Sequence, residues 1–133
     1  MPLQNRKINP WKWQDQFGFS QAIETTGHSR VLRVSGQTSV NGEAEPQHPG
    51  DMAAQIALAT DNLDTVLKAG NMTLGNVVQL NIYTTDIDAS MQHFEGLEQR
   101  LAAAGVQPAI TLIGIARLFI PELLIEIEAA AVA

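Results

Sequence analysis

The segment DMAAQIALATDNLDTVLKAGNMTLGNVVQLNIY, which spans Asp51–Tyr83, contains the two elements that decide the fold. Asp51 is a favourable helix N-cap residue, and the apolar residues after it recur at helical spacing. Gly70 is expected at the position just after the helix, where a left-handed glycine commonly ends it. Val77–Tyr83 then alternates between apolar and polar residues, which is typical of a strand. The segment therefore predicts a helix over Met52–Ala69 followed by a strand.

The flanking sequence extends this pattern in both directions. Two strands are expected before the central helix, joined by the turn residues of 26–29, and they are predicted to form a hairpin. A second helix and two further strands are expected after the central strand. These outer elements are predicted at Phe17–Glu24, Arg30–Ser35, Asp86–Ala104, Ala109–Ile115 and Leu123–Ala130. The order β-β-α-β-α-β-β predicts an α+β fold in which a mixed sheet carries two helices on one face.

Length and composition define the class of protein. The 133 residues fit one domain, with residues 1–16 as a polar N-terminal arm and residues 17–133 as the single folded domain. The net charge of −6 and the absence of a basic cluster argue against nucleic-acid binding. The absence of cysteine excludes disulfides, thiolate metal sites and a cysteine nucleophile. No segment has the length and hydrophobicity of a membrane helix or a signal peptide, so we expect no membrane partner and a cytoplasmic location.

The predicted strands carry apolar residues on both alternate faces. Neither alternate set is wholly polar in VLRVS, VVQLNIY or AITLIGI. Two helices can cover only one face of the sheet, so the other face needs a cover that the chain does not supply. The pattern therefore favours a homo-oligomer that buries this face.

Five segments in order resemble the RidA/YjgF family. They are VSGQTSVNG (34–42), QIALATDNLDTVLKAG (55–70), VVQLNIYTTDI (77–87), QPAITLIGIARL (107–118) and IEIEAAAVA (125–133). The resemblance implies a chorismate-mutase-like fold and a homotrimer whose sheets form a central barrel. It also implies clefts between subunits that bind small carboxylates, and hydrolysis of enamines or imines without a cofactor. The spacing of His28, His48 and His93 does not match that of metal ligands, so no metal site is expected.

The resemblance also identifies the most informative departure from the family pattern. Deaminating members have an arginine after Pro-Ala, and its guanidinium binds the substrate carboxylate through two hydrogen bonds. In this chain Ile110 stands at that position, followed by Thr111, and both are candidate ligand contacts. The alternative is that Ile110 is only a core or interface residue.

Three residues in or directly after the first two predicted strands match family positions in the cleft. Phe19 stands where the family has a tyrosine, so the ring is kept and the hydroxyl is lost. Ser35 matches a serine that contacts the ligand, and Gly36 allows the backbone to approach it closely. The alternatives are a packing role for Phe19 and a turn role for Ser35.

Two charged residues complete the candidate site. Glu126 matches the family's acidic residue that positions water, and Glu128 shares its face of the strand. Arg33 lies two residues before Ser35, so it is a candidate to replace part of the missing guanidinium. The alternatives are solvated carboxylates on the strand face and an ion pair of Arg33 with Glu126, Glu128 or an acidic residue of another strand.

The sequence leaves two functions open, besides a role in protein interaction through apolar clefts and the Trp11 and Trp13 side chains of the arm. The first is a homotrimer that binds a small metabolite in its clefts and is not a standard 2-imino-acid deaminase, because Ile110 replaces the arginine. The second is a hydrolase that acts on an enamine, imine or related nitrogen compound through Ser35, Glu126 and water.

Overall fold

A computed structural model describes all 133 residues of the protein. Short 3₁₀ turns at Trp13–Phe17 and Leu74–Asn76 accompany the regular elements. The strands are β1 (Gln4–Ile8), β2 (Ala22–Thr26), β3 (Val31–Thr38), β4 (Val77–Thr84), β5 (Ala109–Gly114) and β6 (Ile125–Val132). The helices are α1 (Met52–Ala69), α2 (Ile87–Met91) and α3 (Glu95–Ala103).

The main sheet has four strands in the order β3-β6-β4-β5. β4 and β5 are parallel and the other pairs are antiparallel, so the sheet is mixed. Buried leucines and isoleucines of β4 and β6 pack against apolar residues of α1 and α3 on one face. The predicted α+β fold, with helices on one face of a mixed sheet, is confirmed.

Helix α1 has the predicted limits because its end signals are local. The Asp51 carboxylate accepts a hydrogen bond of 3.0 Å from the Ala54 amide and caps the first turn. The role of Gly70 differs from the expected left-handed cap, since its φ is −88° and Asn71 takes the left-handed conformation. A Cβ at Gly70 would lie 2.7 Å from Leu32 Cδ2, so the glycine lets the helix end pack closely against β3.

The predicted N-terminal hairpin is wrong. β2 pairs with β1 in a separate two-stranded ribbon, and β3 pairs with β6 instead. In the ribbon, an ion pair joins Arg6 to Glu24 at 3.2 Å, and Thr25 donates a hydrogen bond to Asn5 at 2.6 Å. The first residues of the arm therefore form a strand rather than an irregular tail. The division of the chain at residue 16 stays a prediction.

The second predicted helix is divided. Ser90 Oγ donates a hydrogen bond of 2.8 Å to the carbonyl of Ile87, which competes with continuation of the helix. The chain turns before α3 begins at Glu95. Periodicity alone did not reveal this break, since Met91 and Phe94 keep the apolar spacing across it.

The sheet face away from the helices is more polar than expected. Val31 and Ile113 are exposed on its outer strands, as the apolar pattern implied. Its central rows instead bring together Asn81, Tyr83 and Glu128 from β4 and β6. The expectation that both faces are apolar is therefore wrong at the centre of the sheet. We call this surface the open face.

None of the helices combines the length and the hydrophobicity required to span a membrane.

Candidate functional site

A cavity of about 540 Å³ lies between β5, the helices α2 and α3, and the segment 17–19. Nine of its eleven lining residues are hydrophobic, and the only charged one is Glu98. The lining residues are Phe17, Gly18, Phe19, Ile82, Met91, Phe94, Leu97, Glu98, Leu101, Ile110 and Leu112. We call this space the apolar cavity.

The wall formed by residues 17–19 is held against the edge of β5. Ser20 forms a parallel bridge with Ala109, and its amide donates a hydrogen bond of 3.0 Å to the Pro108 carbonyl. The ring of Trp13 packs edge-to-face on Phe19, with 5.8 Å between ring centroids. These contacts fix the Phe19 ring beside the start of β5.

Ile110 lies in this cavity rather than on the open face. It pairs with Leu80 of β4, whose side chain is fully buried beneath the helices. Ile110 is itself half-buried and packs against the core cluster. Phe19 and Ile110 therefore line the same space, and no arginine or lysine lines it.

Ser35, Gly36 and Glu126 come together at a different place. The β3–β6 register shifts between Val34 and Gln37, so Ser35 and Gly36 lie in a bulge. A Cβ on Gly36 would lie only 2.4 Å from Glu126 Cδ. The glycine therefore leaves the space that the Glu126 side chain occupies, and the expected close approach of its backbone to a ligand stays a prediction.

Two effects raise the pKa of Glu126 above its usual value. Desolvation by burial is the larger effect, and repulsion from Glu128 is the smaller. Its carboxylate has no ion-pair partner and accepts no hydrogen bond from a side chain. A carboxyl group with a raised pKa can exchange a proton nearer to neutral pH, which is useful for acid–base chemistry.

Because of this environment, the ionised form of Glu126 slightly destabilises the folded state at neutral pH. A raised pKa means that stability is greatest when Glu126 is protonated and falls as pH rises through that pKa. We expect Glu126→Gln to increase the free energy of unfolding by roughly 0.5 kcal/mol at pH 7, because the group is partly solvated. The gain should vanish below about pH 3, where the glutamate is protonated in both states.

Thermal unfolding of both proteins across this pH range measures the effect. Glu43→Gln, in an exposed loop, is the matched control and should change stability equally little at every pH. A Glu126→Gln variant that is less stable than the wild type at pH 7 would contradict the assignment.

Glu128 has partners that the sequence did not reveal. Tyr83 donates a hydrogen bond of 2.6 Å to Glu128 Oε1, and Asn81 Nδ2 donates one of 3.1 Å to the same atom. The hydrogen bond to Glu128, together with desolvation and the charges of both glutamates, raises the pKa of Tyr83. Alternation places each group on its strand face, but only the β4–β6 register shows that they meet. The expectation of an ordinary solvated Glu128 is wrong.

Arg33 and Thr111 also belong to the open face. Arg33 is exposed opposite Ala130 and forms no ion pair with Glu126 or Glu128. Thr111 lies opposite Asn81 on β5 and is exposed. The expected ion pair of Arg33 is therefore absent. The following residue in sequence, Thr111, points away from the face on which Ile110 lies.

The cavity residues Phe19 and Ile110 thus lie apart from Ser35, Gly36 and Glu126, on different faces and towards opposite edges of the sheet. Ile110 is on edge strand β5, and Ser35 is on edge strand β3. Three strand spacings separate them, about 14 Å at ~4.8 Å each. One chain by itself does not bring both groups into one pocket. No group of three or more potential metal ligands occurs in the protein.

Comparison with known proteins identifies the class of protein. The model of the Endoribonuclease L-PSP family matches residues 14–133. A RutC family protein from Aquifex aeolicus is 31% identical over 100 residues, which cover 75% of this chain and 77% of that protein. The chain belongs to the RidA/YjgF family, as its motifs indicated.

Two solved structures show how far the likeness extends. The Rid family protein YyfB from Yersinia pestis is 32% identical, with a TM-score of 0.87 over 97% of this chain and 98% of that one. The YjgF protein from E. coli is 28% identical, with a TM-score of 0.69 over 86% of this chain and 87% of that one. Both confirm the family fold.

Proposed function

We propose that the protein is a homotrimer that binds a small metabolite in clefts between its subunits, without the carboxylate-anchored deamination typical of its family. One observation carries this proposal. The cavity beside the start of β5 has Ile110 where deaminating relatives have arginine, and Glu98 is its only charged residue.

The charge of the cavity argues against a 2-imino acid as substrate. A carboxylate that enters an apolar space loses its hydration and needs donors in return. This cavity offers no guanidinium or ammonium group, and Glu98 would repel a second anion. Binding of the usual substrate class is therefore disfavoured at the first step.

The position of the two residue groups supports a site shared between copies. Edge strands β3 and β5 each have one side without a strand partner along most of their length. Such edges can pair with another copy, and closure of several sheets into a barrel removes them. A β5 edge that meets the β3 edge of a neighbour would place Ile110 of one copy and Ser35 of the other on neighbouring strands.

The net charge of the protein also limits its binding partners. With a net charge of −6, binding of nucleic acid phosphates is electrostatically disfavoured, so RNA cleavage is not part of the proposed function. A cytoplasmic location remains part of the proposal.

A hydrolase is the second candidate function. The raised pKa of Glu126 and its contact with the Ser35–Gly36 bulge favour it, since a partly buried carboxyl group can position and deprotonate water. Its substrate would be an enamine, an imine or a related nitrogen compound without a carboxylate requirement.

An imine-hydrolysis assay separates the two functions. 2-Iminopropionate and short and bulky imines without a carboxylate are generated in situ, and the hydrolysis of each is followed with and without the protein. We expect no acceleration by the wild-type protein. Acceleration that is lost in Glu126→Ala and kept in Glu43→Ala would establish the hydrolase instead.

A further inference from the structure

The size and lining of the apolar cavity limit what can occupy it. A volume of about 540 Å³ is within the range of small-molecule sites, ~300–1,000 Å³. Three phenylalanines, at 17, 19 and 94, contribute aromatic surface. A ligand with an aromatic or branched aliphatic body would bury most of its surface here.

The single charged residue that lines the cavity indicates where the polar end of a ligand would lie. Glu98 is exposed on α3 and takes part in no ion pair. It also lines a smaller hollow beside the cavity, together with Gly18 and Lys7. Lys7 Nζ donates to Gln107 Oε1 at 2.9 Å and lines only this hollow, not the apolar cavity, and it forms no ion pair with Glu98. The free carboxylate therefore offers acceptors to a ligand that fills the cavity.

Aromatic rings add to the same preference. The faces of phenylalanine rings attract cations, and the attraction grows where water is excluded. A carboxylate and three such rings around one space favour a protonated amine over a neutral group, and a neutral group over an anion.

We propose that the apolar cavity binds small hydrophobic amines, with the hydrocarbon body against Phe19, Ile110 and Leu112 and the ammonium group at Glu98. The proposal rests on the proposed function, since it names the ligand class of that same site. It reverses the charge preference that the family's arginine would impose.

Three probes of nearly equal shape test the charge preference: 2-phenylethylamine, 2-phenylethanol and phenylacetate. Trp13 packs on Phe19, so its fluorescence reports occupation of the cavity, and calorimetry gives the affinities. We expect the amine to bind roughly tenfold more tightly than phenylacetate, with the alcohol between them. Glu98→Gln should reduce the affinity for the amine to that for the alcohol.

Glu95→Gln is the matched control because Glu95 lies on the same helix outside the cavity, and it should leave all three affinities unchanged. Equal or tighter binding of phenylacetate to the wild-type protein would overturn the amine proposal and leave a metabolite-binding function standing. Failure of all three probes to bind, combined with turnover of 2-iminopropionate, would overturn the proposed function as well.

Discussion

The Ile110→Arg variant is expected to bind phenylacetate and other small carboxylates roughly tenfold or more tightly than the wild-type protein. The position lines a cavity without any cation, so an introduced guanidinium would meet no competing carboxylate except that of Glu98 at the rim. A bidentate pair between arginine and a carboxylate combines charge with fixed geometry, which an apolar side chain lacks. Deamination of 2-iminopropionate should rise in the same variant if the rest of the cleft is intact.

Two companion variants make this result specific. Ile110→Met keeps an apolar side chain of similar volume and should not change carboxylate affinity. Ile110→Lys adds a charge without the planar fork and should give a smaller gain than arginine. Calorimetry with phenylacetate measures all four proteins, after circular dichroism has established that they are folded. A folded Ile110→Arg variant that binds carboxylates no better than Ile110→Met would contradict the location of the ligand in this cavity.

The Gln55→Ala variant is expected to lose on the order of 3 kcal/mol of stability. Gln55 is fully buried on α1 and holds two loops to the helix. Its Nε2 donates to the carbonyls of His48 at 3.1 Å and Glu122 at 3.0 Å, and its Oε1 accepts from the Leu124 amide at 2.8 Å. Truncation leaves three backbone groups without these partners and creates a cavity.

Thermal unfolding at one fixed protein concentration measures this loss, which corresponds to a decrease in Tm of about 10 °C. Gln55→Glu keeps the size and the acceptor but cannot donate, so its Tm should also fall clearly. Gln99→Ala is the control, since Gln99 is exposed on α3 and bonds only Glu95, and its effect should stay within about 0.5 kcal/mol. A Gln55→Ala variant as stable as Gln99→Ala would contradict the role of Gln55 in joining the loops.

The fold could be predicted where the signals are local. Helix α1 has the limits expected from Asp51 and Gly70 because capping and periodicity act within a few residues. Even there, the expected role of Gly70 was wrong. The glycine allows close packing against Leu32, and that contact depends on tertiary structure.

The pairing of strands could not be predicted in the same way. The β1–β2 ribbon consists largely of polar residues, so no apolar alternation marks β1. The Asn81–Tyr83–Glu128 group depends on the register between β4 and β6, which are separated in sequence by two helices and β5. Sequence patterns give the face of a strand but do not give its neighbour.

The candidate site could likewise be predicted only in part from the sequence. The replacement of the family's arginine by Ile110 can be recognised from the motif alone. That Ile110 and Ser35 lie on opposite edge strands, with the apolar cavity beside only one of them, required the structure. Glu98 was not predicted, because an exposed glutamate in a helix carries no signal until the cavity beside it is known.

The most direct test of the account is the mass of the protein in solution, because a site divided between two sheet edges requires more than one copy. Sedimentation equilibrium at micromolar concentration should give a single species of about 43 kDa, three times the chain mass of 14.4 kDa. A stable species of 14.4 kDa would contradict the shared cleft and with it the proposed function.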